Sequence, residues 1–521
     1  MINTIACKSR NQKIPKWIMD WDLWKIILII FVCLFALLFA QYSLYSNVNH
    51  DEVEHAHVAY KILNGLLPYK DFYQNHWPAY WFILKSLIDL FPFSVDTIIA
   101  ARGINIAAFT FLCVLGIRFL KTIRGGVTWV GISVFTWAMV VYAFHLDFHV
   151  ARPDPIMTLL ATIGWAIIPI QGKITRMRAV LIGLFIGLAM SLTPKIIPLA
   201  LVIPILFMID TYYKKNIKME DAIVTMVYTS GICLGLLPTL SWLSSNNLFE
   251  LFFYDVFELN NAVSKPWFHS LFIFLIPLFI PSTIGILLQS KVCSGTAYRN
   301  ETMDLQRRHI HILLAIYLIA IIMLAAIARH DGAYNVQFAI VPLSIGFVAI
   351  FLFIFMRLRH AFYKAVFCFA LLSYPSINII EYFIYIKIKP NRELSISDLK
   401  EVIDLTDSGV RSCVAFAPAH PIFCNDISEL NKEWDLNFTY VINNDMQKKR
   451  FQNIWSEGIK NTLQKNPDII LRKNPNEIWE KAEEIGLVSN EQINRLDSMS
   501  SEYTRKKIGK YEFWIRSGLM K

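Results

Sequence analysis

The chain has 521 residues, of which 55% are hydrophobic and only 17% charged, with a mean hydropathy of +0.44. A soluble domain carries about 25% charged residues, so this composition excludes an ordinary soluble fold. The formal net charge of +10 is explained below by topology, which leaves no reason to infer a nucleic-acid partner.

Apolar runs of roughly 20 residues recur, each enough to cross a hydrocarbon core of about 30 Å. They are continuous and do not alternate, which argues against a β-barrel. They predict about eleven spans, at 22–45, 96–117, 126–144, 155–171, 179–193, 196–213, 221–243, 269–289, 310–328, 336–356 and 362–386. The first lacks a small-residue cleavage site and reads as a retained anchor.

Basic residues set the orientation. Residues 1–21 carry Lys8, Arg10, Lys13 and Lys16. Alternate loops then carry basic clusters, as at Arg118, Lys121 and Arg124, at Lys173, Arg176 and Arg178, and at Lys214, Lys215 and Lys218. That face is expected to be cytoplasmic. The opposite face receives 46–95, the turn at 145–155, the Thr193-Pro194-Lys195 turn, the loop 244–268, the Arg329-His330-Asp331 turn and everything after residue 387. The chain thus reads as an α-helical polytopic membrane protein over 22–387, followed by a small α/β extracytoplasmic domain at 388–521.

In that last domain, 412–418, 438–442 and 468–473 have strand character, helical patterns lie near 447–463 and 476–486, and 503–517 reads as a hairpin turning near Gly509. Cys33, Cys113, Cys233 and Cys368 fall in apolar spans and read as buried small hydrophobes. Cys7 and Cys293 face the reducing side, whereas Cys413 and Cys424 lie where a disulfide is permitted.

Chemistry-bearing residues collect outside. The segment 51–66 is compatible with a helix that Asn64-Gly65 stops. Asp51 and Glu52 stand one turn from His55, so one face can present two carboxylates and an imidazole. Val58, Ile62 and Leu66 suggest an interfacial helix, with Glu54 and Lys61 at its surface and Lys70 beside Asp71 as a local pair. Trp77, Tyr80 and Trp81 suit the headgroup level. In 145–155, Arg152-Pro153-Asp154 enters a helix. There Asp154 can cap, and Arg152 can hold a phosphate through charge-assisted hydrogen bonds. Lys195 is a cation on the wrong face for topology, either snorkelling or anchoring a phosphate. Arg329 raises the same question, and Arg102, inside the second span, reads as a carboxylate partner or a phosphate contact. The aromatic loop 252–268 reads as an interfacial belt or a lid.

The run DEVEHAHVAYKILNGLLPYKDFYQNHWPAYW resembles the first external loop of bacterial GT-C glycosyltransferases related to protein O-mannosyltransferases and the aminoarabinose transferase of lipid A. The matching positions are the acidic pair Asp51-Glu52, then Asn64-Gly65, Pro68-Tyr69, Asp71-Phe72, His76 and Pro78. Arg152-Pro153-Asp154 and Thr193-Pro194-Lys195 are similar to two further turns of that family. The resemblance implies a polyprenyl-phosphate-linked sugar donor, a lipid, glycan or protein acceptor, and inverting hexosyl or pentosyl transfer at the outer face of the plasma membrane. It implies catalytic roles for Asp51, Glu52 and Asp154, and substrate contacts from Arg152, Lys195, His55, His76, Arg102 and Arg329. Some members carry a divalent ion, for which Glu52, His55 and His76 are the candidate ligands. The competing class is a lipid-linked sugar flippase or secondary transporter, which should place its ionisable groups near the bilayer midplane.

Overall fold

The computed structural model describes residues 21–72, 74–92, 94–124, 129–168, 174–201, 219–259, 337–357, 395–407, 412–416, 464–473, 498–508 and 511–517, with 204, 284, 494 and 519 singly. Helices dominate. In chain order they are α1 (Trp21–Tyr45), α2 (His50–Leu63), α3 (Ala79–Leu90), α4 (Asp96–Arg124), α5 (Trp129–His145), α6 (Pro153–Ala166) and α7 (Arg176–Leu192). A 3-10 turn at Pro194–Ile196 leads into the short α8 (Ile197–Ala200). Then come α9 (Met219–Ser245), α10 (Phe249–Phe253) with a π-turn at Tyr254–Leu259, α11 (Ile340–Arg357) and α12 (Ile396–Asp407).

Helices α1, α4, α5, α6, α7, α9 and α11 coincide with seven expected spans. The span 196–213 is described only at its start, and 269–289, 310–328 and 362–386 lie outside the described residues. Among the described residues, α4 and α9 contain runs long and apolar enough to cross a membrane.

Helices α7 and α9 pack along most of their length, and glycine makes this possible. Gly183 and Gly187 on α7 face Gly231 and Gly235 on α9. A Cβ on any of the four would collide with a carbonyl oxygen of the other helix: Tyr228, Ile232, Val180 and Leu184 respectively. Small residues four apart let two backbones meet at van der Waals distance, the main attraction between helices in lipid. Gly187→Ala or Gly231→Ala is expected to cost about 3 kcal/mol by overpacking. The check is thermal unfolding in detergent against Gly103→Ala, whose Cβ would meet nothing within 4 Å and should leave the midpoint unchanged.

The C-terminal part contains a four-stranded sheet of order β1-β2-β4-β3, from β1 (Cys413–Phe416), β2 (Ile469–Lys473), β3 (Tyr503–Ile508) and β4 (Tyr511–Arg516). Strands β1 and β2 are parallel, and β4 runs antiparallel to both β2 and β3. The expected hairpin and two of the three expected strands are present. The regions 438–442, 447–463 and 476–486 lie outside the described residues. Helix α12, which sequence patterning missed, is two-sided. Val402 joins the sheet's core with Ile469 and Phe513, while Leu399 and Ile403 join the helical core. Cys413 is buried and disulfide-bonded; Cys424 lies outside the described residues.

Candidate functional site

The site begins with the capping of α2. Asn49 is its N-cap: the Asn49 side chain accepts from the Asp51 amide at 3.0 Å. The Glu52 carboxylate returns to accept from the Asn49 N–H at 2.8 Å, a capping box. Glu52 does more than cap. Its Oε1 accepts from Arg102 Nε at 2.7 Å and from the Ala151 N–H at 2.7 Å, and its Oε2 accepts from Arg102 Nη2 at 2.6 Å. Arg102 spends its remaining N–H groups on the carbonyls of Leu44 (3.2 Å), Ser46 (2.9 Å) and Asn47 (3.0 Å). Both side chains are fully buried. A carboxylate offers about four acceptor directions and a guanidinium five donors; here both are saturated. Burial pushes the Glu52 carboxyl up, but Arg102 and the Ala151 and Asn49 N–H groups outweigh that and hold it below the ordinary range.

This knot ties the end of α1, the start of α2, the N-terminal part of α4 and the turn before α6. It also aligns the residues beside it. Ala151 is bonded to Glu52, so Arg152 reaches Asp51, with Nη2 to Oδ2 at 2.7 Å. Arg152 Nε lies 3.9 Å from Asp154 Oδ2, and Lys195 Nζ meets Asp154 Oδ1 at 2.7 Å. Asp51, Arg152, Asp154 and Lys195 thus form one alternating array. Asp51 and Lys195 are its partly exposed ends, with side chains 17% and 22% accessible. Arg152 is the N-cap position of α6 and Pro153 its first residue, so Asp154 sits inside the first turn and makes no side-chain cap. The capping account of Asp154 gives way to pairing with Lys195. Pro194 and the Thr193 side chain, which accepts from the Lys195 N–H, shape the 3-10 turn that carries this lysine.

Several expectations need correction. Of the two readings of Arg102 the carboxylate partner holds: it forms a saturated pair with Glu52, so Arg102 has no donor left for a phosphate and Glu52 no lone pair left for a proton or a metal. His55 Nδ1 accepts from Trp81 Nε1 at 3.2 Å, leaving its hydrogen on Nε2. His55 and His76 do meet, ring centroids 4.8 Å apart. Even so, Glu52, His55 and His76 do not fit a divalent ion, because Glu52 and His55 Nδ1 are already engaged. Among the described residues no group of three or more metal-ligating side chains converges.

Helix α2 is buried within the protein. Glu54 and Lys61 are buried, with Glu54 accepting from Gln74 Nε2 at 3.0 Å and Lys61 over the Phe72 ring at 5.0 Å. Trp77, Tyr80 and Trp81 are also buried. The reason is enclosure, since the loop folds back and α3 and α4 pack on α2. Asp71 closes its own turn by accepting from the Leu67 N–H at 2.7 Å. Arg329 lies outside the described residues.

The start of the aromatic loop is docked on residues 69–77. Phe252 packs edge-on against Tyr69 and Trp77, and Asp255 accepts from the Gln74 N–H at 3.3 Å. Residues 260–268 lie outside the described residues.

Sequence reasoning missed three polar residues that hold the turn before α6. Asn105, one helical turn beyond Arg102, donates to the Val150 carbonyl at 2.6 Å. Gln337 donates to the Leu146 carbonyl at 2.5 Å. His149 is buried against Tyr42. Burial, with Arg102 nearby, pushes its imidazole from the ordinary 6.5 down to about 3. The unfolded chain therefore takes up this proton first. Stability is complete above about pH 6.5 and is lost on acidification toward 3, by about 2 kcal/mol at pH 5. His149→Phe keeps the aromatic packing and is expected to flatten this acid loss. Unfolding midpoints at pH 7.5, 6 and 5 check it.

No family model and no curated protein matches the sequence. The structure, however, superposes on the crystal structure of ArnT from Cupriavidus metallidurans bound to undecaprenyl phosphate, with a TM-score of 0.56 over 95% of this chain and 98% of that chain. Sequence identity is 11%. The chain shares the fold of that protein. Within this fold, three separate turns supply the charged array: the start of α2, the start of α6 and the turn after α7.

Proposed function

We propose that the chain is a glycosyltransferase that moves a sugar from a polyprenyl-phosphate donor to a lipid, glycan or protein acceptor. The observation that carries this is the Asp51–Arg152–Asp154–Lys195 array. It sets two cations able to hold a phosphate beside a carboxylate able to take a proton. The fold's likeness to a transferase crystallised with undecaprenyl phosphate supports the donor class. The disulfide at Cys413 supports an outer, oxidising face for the C-terminal domain. The reading includes a multi-pass plasma-membrane location, with the N-terminus in the cytoplasm.

In the proposed inverting reaction, an acceptor hydroxyl oxygen attacks the anomeric carbon. The carbon–oxygen bond to the phosphate breaks, polyprenyl phosphate leaves with the electron pair, and the hydroxyl proton passes to Asp51. Positioned cations stabilise the departing charge, and a positioned carboxylate takes the proton. Arg152 and Lys195 are paired with Asp51 and Asp154 before substrate arrives. The donor phosphate competes for those cations, and as Arg152 turns to it the Asp51 carboxylate is released to the acceptor.

The test is mass spectrometry of envelope glycoconjugates in a deletion strain with and without the restored gene. One sugar mass that vanishes on deletion and returns with the gene supports transfer and identifies the acceptor. Unchanged glycans with lipid-linked sugar redistributed across the membrane would instead establish a flippase.

A further inference from the structure

Tyr80 carries a buried hydroxyl without a hydrogen-bond partner among the described residues, beside the saturated Glu52–Arg102 pair. It lies in the first turn of α3, 2% exposed. Its ring stands edge-on to His55 with centroids 5.4 Å apart. Its Oη is fully buried and, among the described residues, has no hydrogen-bond partner. Native interiors seldom leave such a group unsatisfied, and an exception calls for an explanation such as a role in function. Burial, and after it the facing Glu52 and Asp154 carboxylates, push the phenol well above its ordinary range against the opposing effect of Arg152. It therefore stays protonated and available as a donor.

We propose that Tyr80 is a substrate-contacting residue whose hydroxyl bonds a hydroxyl of the sugar being transferred. This rests on the transferase reading above. The neighbouring charges select the ligand chemistry. A phosphate at Tyr80 would bring negative charge toward Glu52 and Asp154. A sugar hydroxyl is neutral, accepts from the phenol and still has a proton to donate to the Asp154 carboxylate, since that of Glu52 is saturated. Access follows from the array. Asp51 and Lys195 are its exposed members, so ligand arrives past them. Arg152, which must leave Asp51 to bind the phosphate, is the cation that acts on Tyr80. Entry of the donor phosphate thus rearranges the groups beside the phenol.

The experiment compares Tyr80→Phe, Asp51→Asn and wild type by three readouts. These are restoration of the missing glycan in the deletion strain at equal protein level, the unfolding midpoint of the purified full chain, and the midpoint shift on adding undecaprenyl phosphate without sugar. Tyr80→Phe is expected to lower transfer at least 10-fold. Its midpoint should be equal to or above wild type, since an unpaired hydroxyl has been removed, and its shift with undecaprenyl phosphate should be unchanged. Full transfer by Tyr80→Phe alongside a dead Asp51→Asn overturns the role of Tyr80 while leaving the transferase reading intact. A lost shift with undecaprenyl phosphate overturns the sugar assignment in favour of the phosphate. A lowered midpoint overturns the proposal by revealing a structural partner. Full transfer by both variants removes the site reading itself.

Discussion

Asp51→Asn is expected to lower sugar transfer by about 100- to 10,000-fold, the range a positioned general base contributes. The unfolding midpoint should barely move. The substitution keeps the shape of the side chain and removes only the negative charge, and with it the ability to take a proton. Asp51 is a partly exposed end of the array and pairs with Arg152, so an amide there still accepts a hydrogen bond. Transfer in the complemented deletion strain, read beside the midpoint of the same variant, separates chemistry from folding. Wild-type transfer by Asp51→Asn would leave Asp154 as the remaining carboxylate of the array and would end the role given to Asp51.

Glu52→Gln should behave in the opposite way, although it is the adjacent residue and an equally conservative change. It removes the charge that faces the fully buried Arg102 guanidinium. Breaking one partner of a buried pair costs about 3–5 kcal/mol. The amide can accept at one atom, whereas the carboxylate accepts at two, so the bonds from Ala151 and Asn49 are also compromised. The expected outcome is a large drop in the unfolding midpoint and low protein yield, with any surviving transfer proportional to folded protein. Arg102→Leu alone should be as damaging. Replacing both residues with apolar ones of similar volume should recover part of the loss, because the desolvation of both charges is then avoided. A Glu52→Gln protein that is stable but inactive would reverse the assignment and give Glu52 a chemical role.

These two neighbours illustrate how far a linear reading goes. The acidic pair stood out, and so did the later Arg152-Pro153-Asp154 and Lys195. What the order of residues lacked was the division of labour. Asp51 and Glu52 are consecutive on one helix and therefore point in directions about 100° apart. One direction leads inward to α4, and the other leads to the α6 turn. Glu52 also sits three residues after Asn49, and the capping-box spacing was the available hint that it had backbone work to do. Nothing in the sequence pairs residue 52 with residue 102, since Arg102 looks equally suited to a phosphate until its five donors are accounted for.

The helical architecture, the change of composition near residue 390 and the strands at 413–416, 469–473, 503–508 and 511–516 were legible because hydropathy and period-two patterning are local properties. The buried position of α2, the burial of Tyr80 and its unpaired hydroxyl, the imidazole of His149 held near 3, and the close crossing of α7 and α9 were not. Each depends on which distant segment covers a given face, and that is settled by packing between helices far apart in the chain. Local sequence determined where charge and apolar length occur. Tertiary structure decided which charges neutralise one another in the interior and which remain at the edge, where a substrate can compete for them.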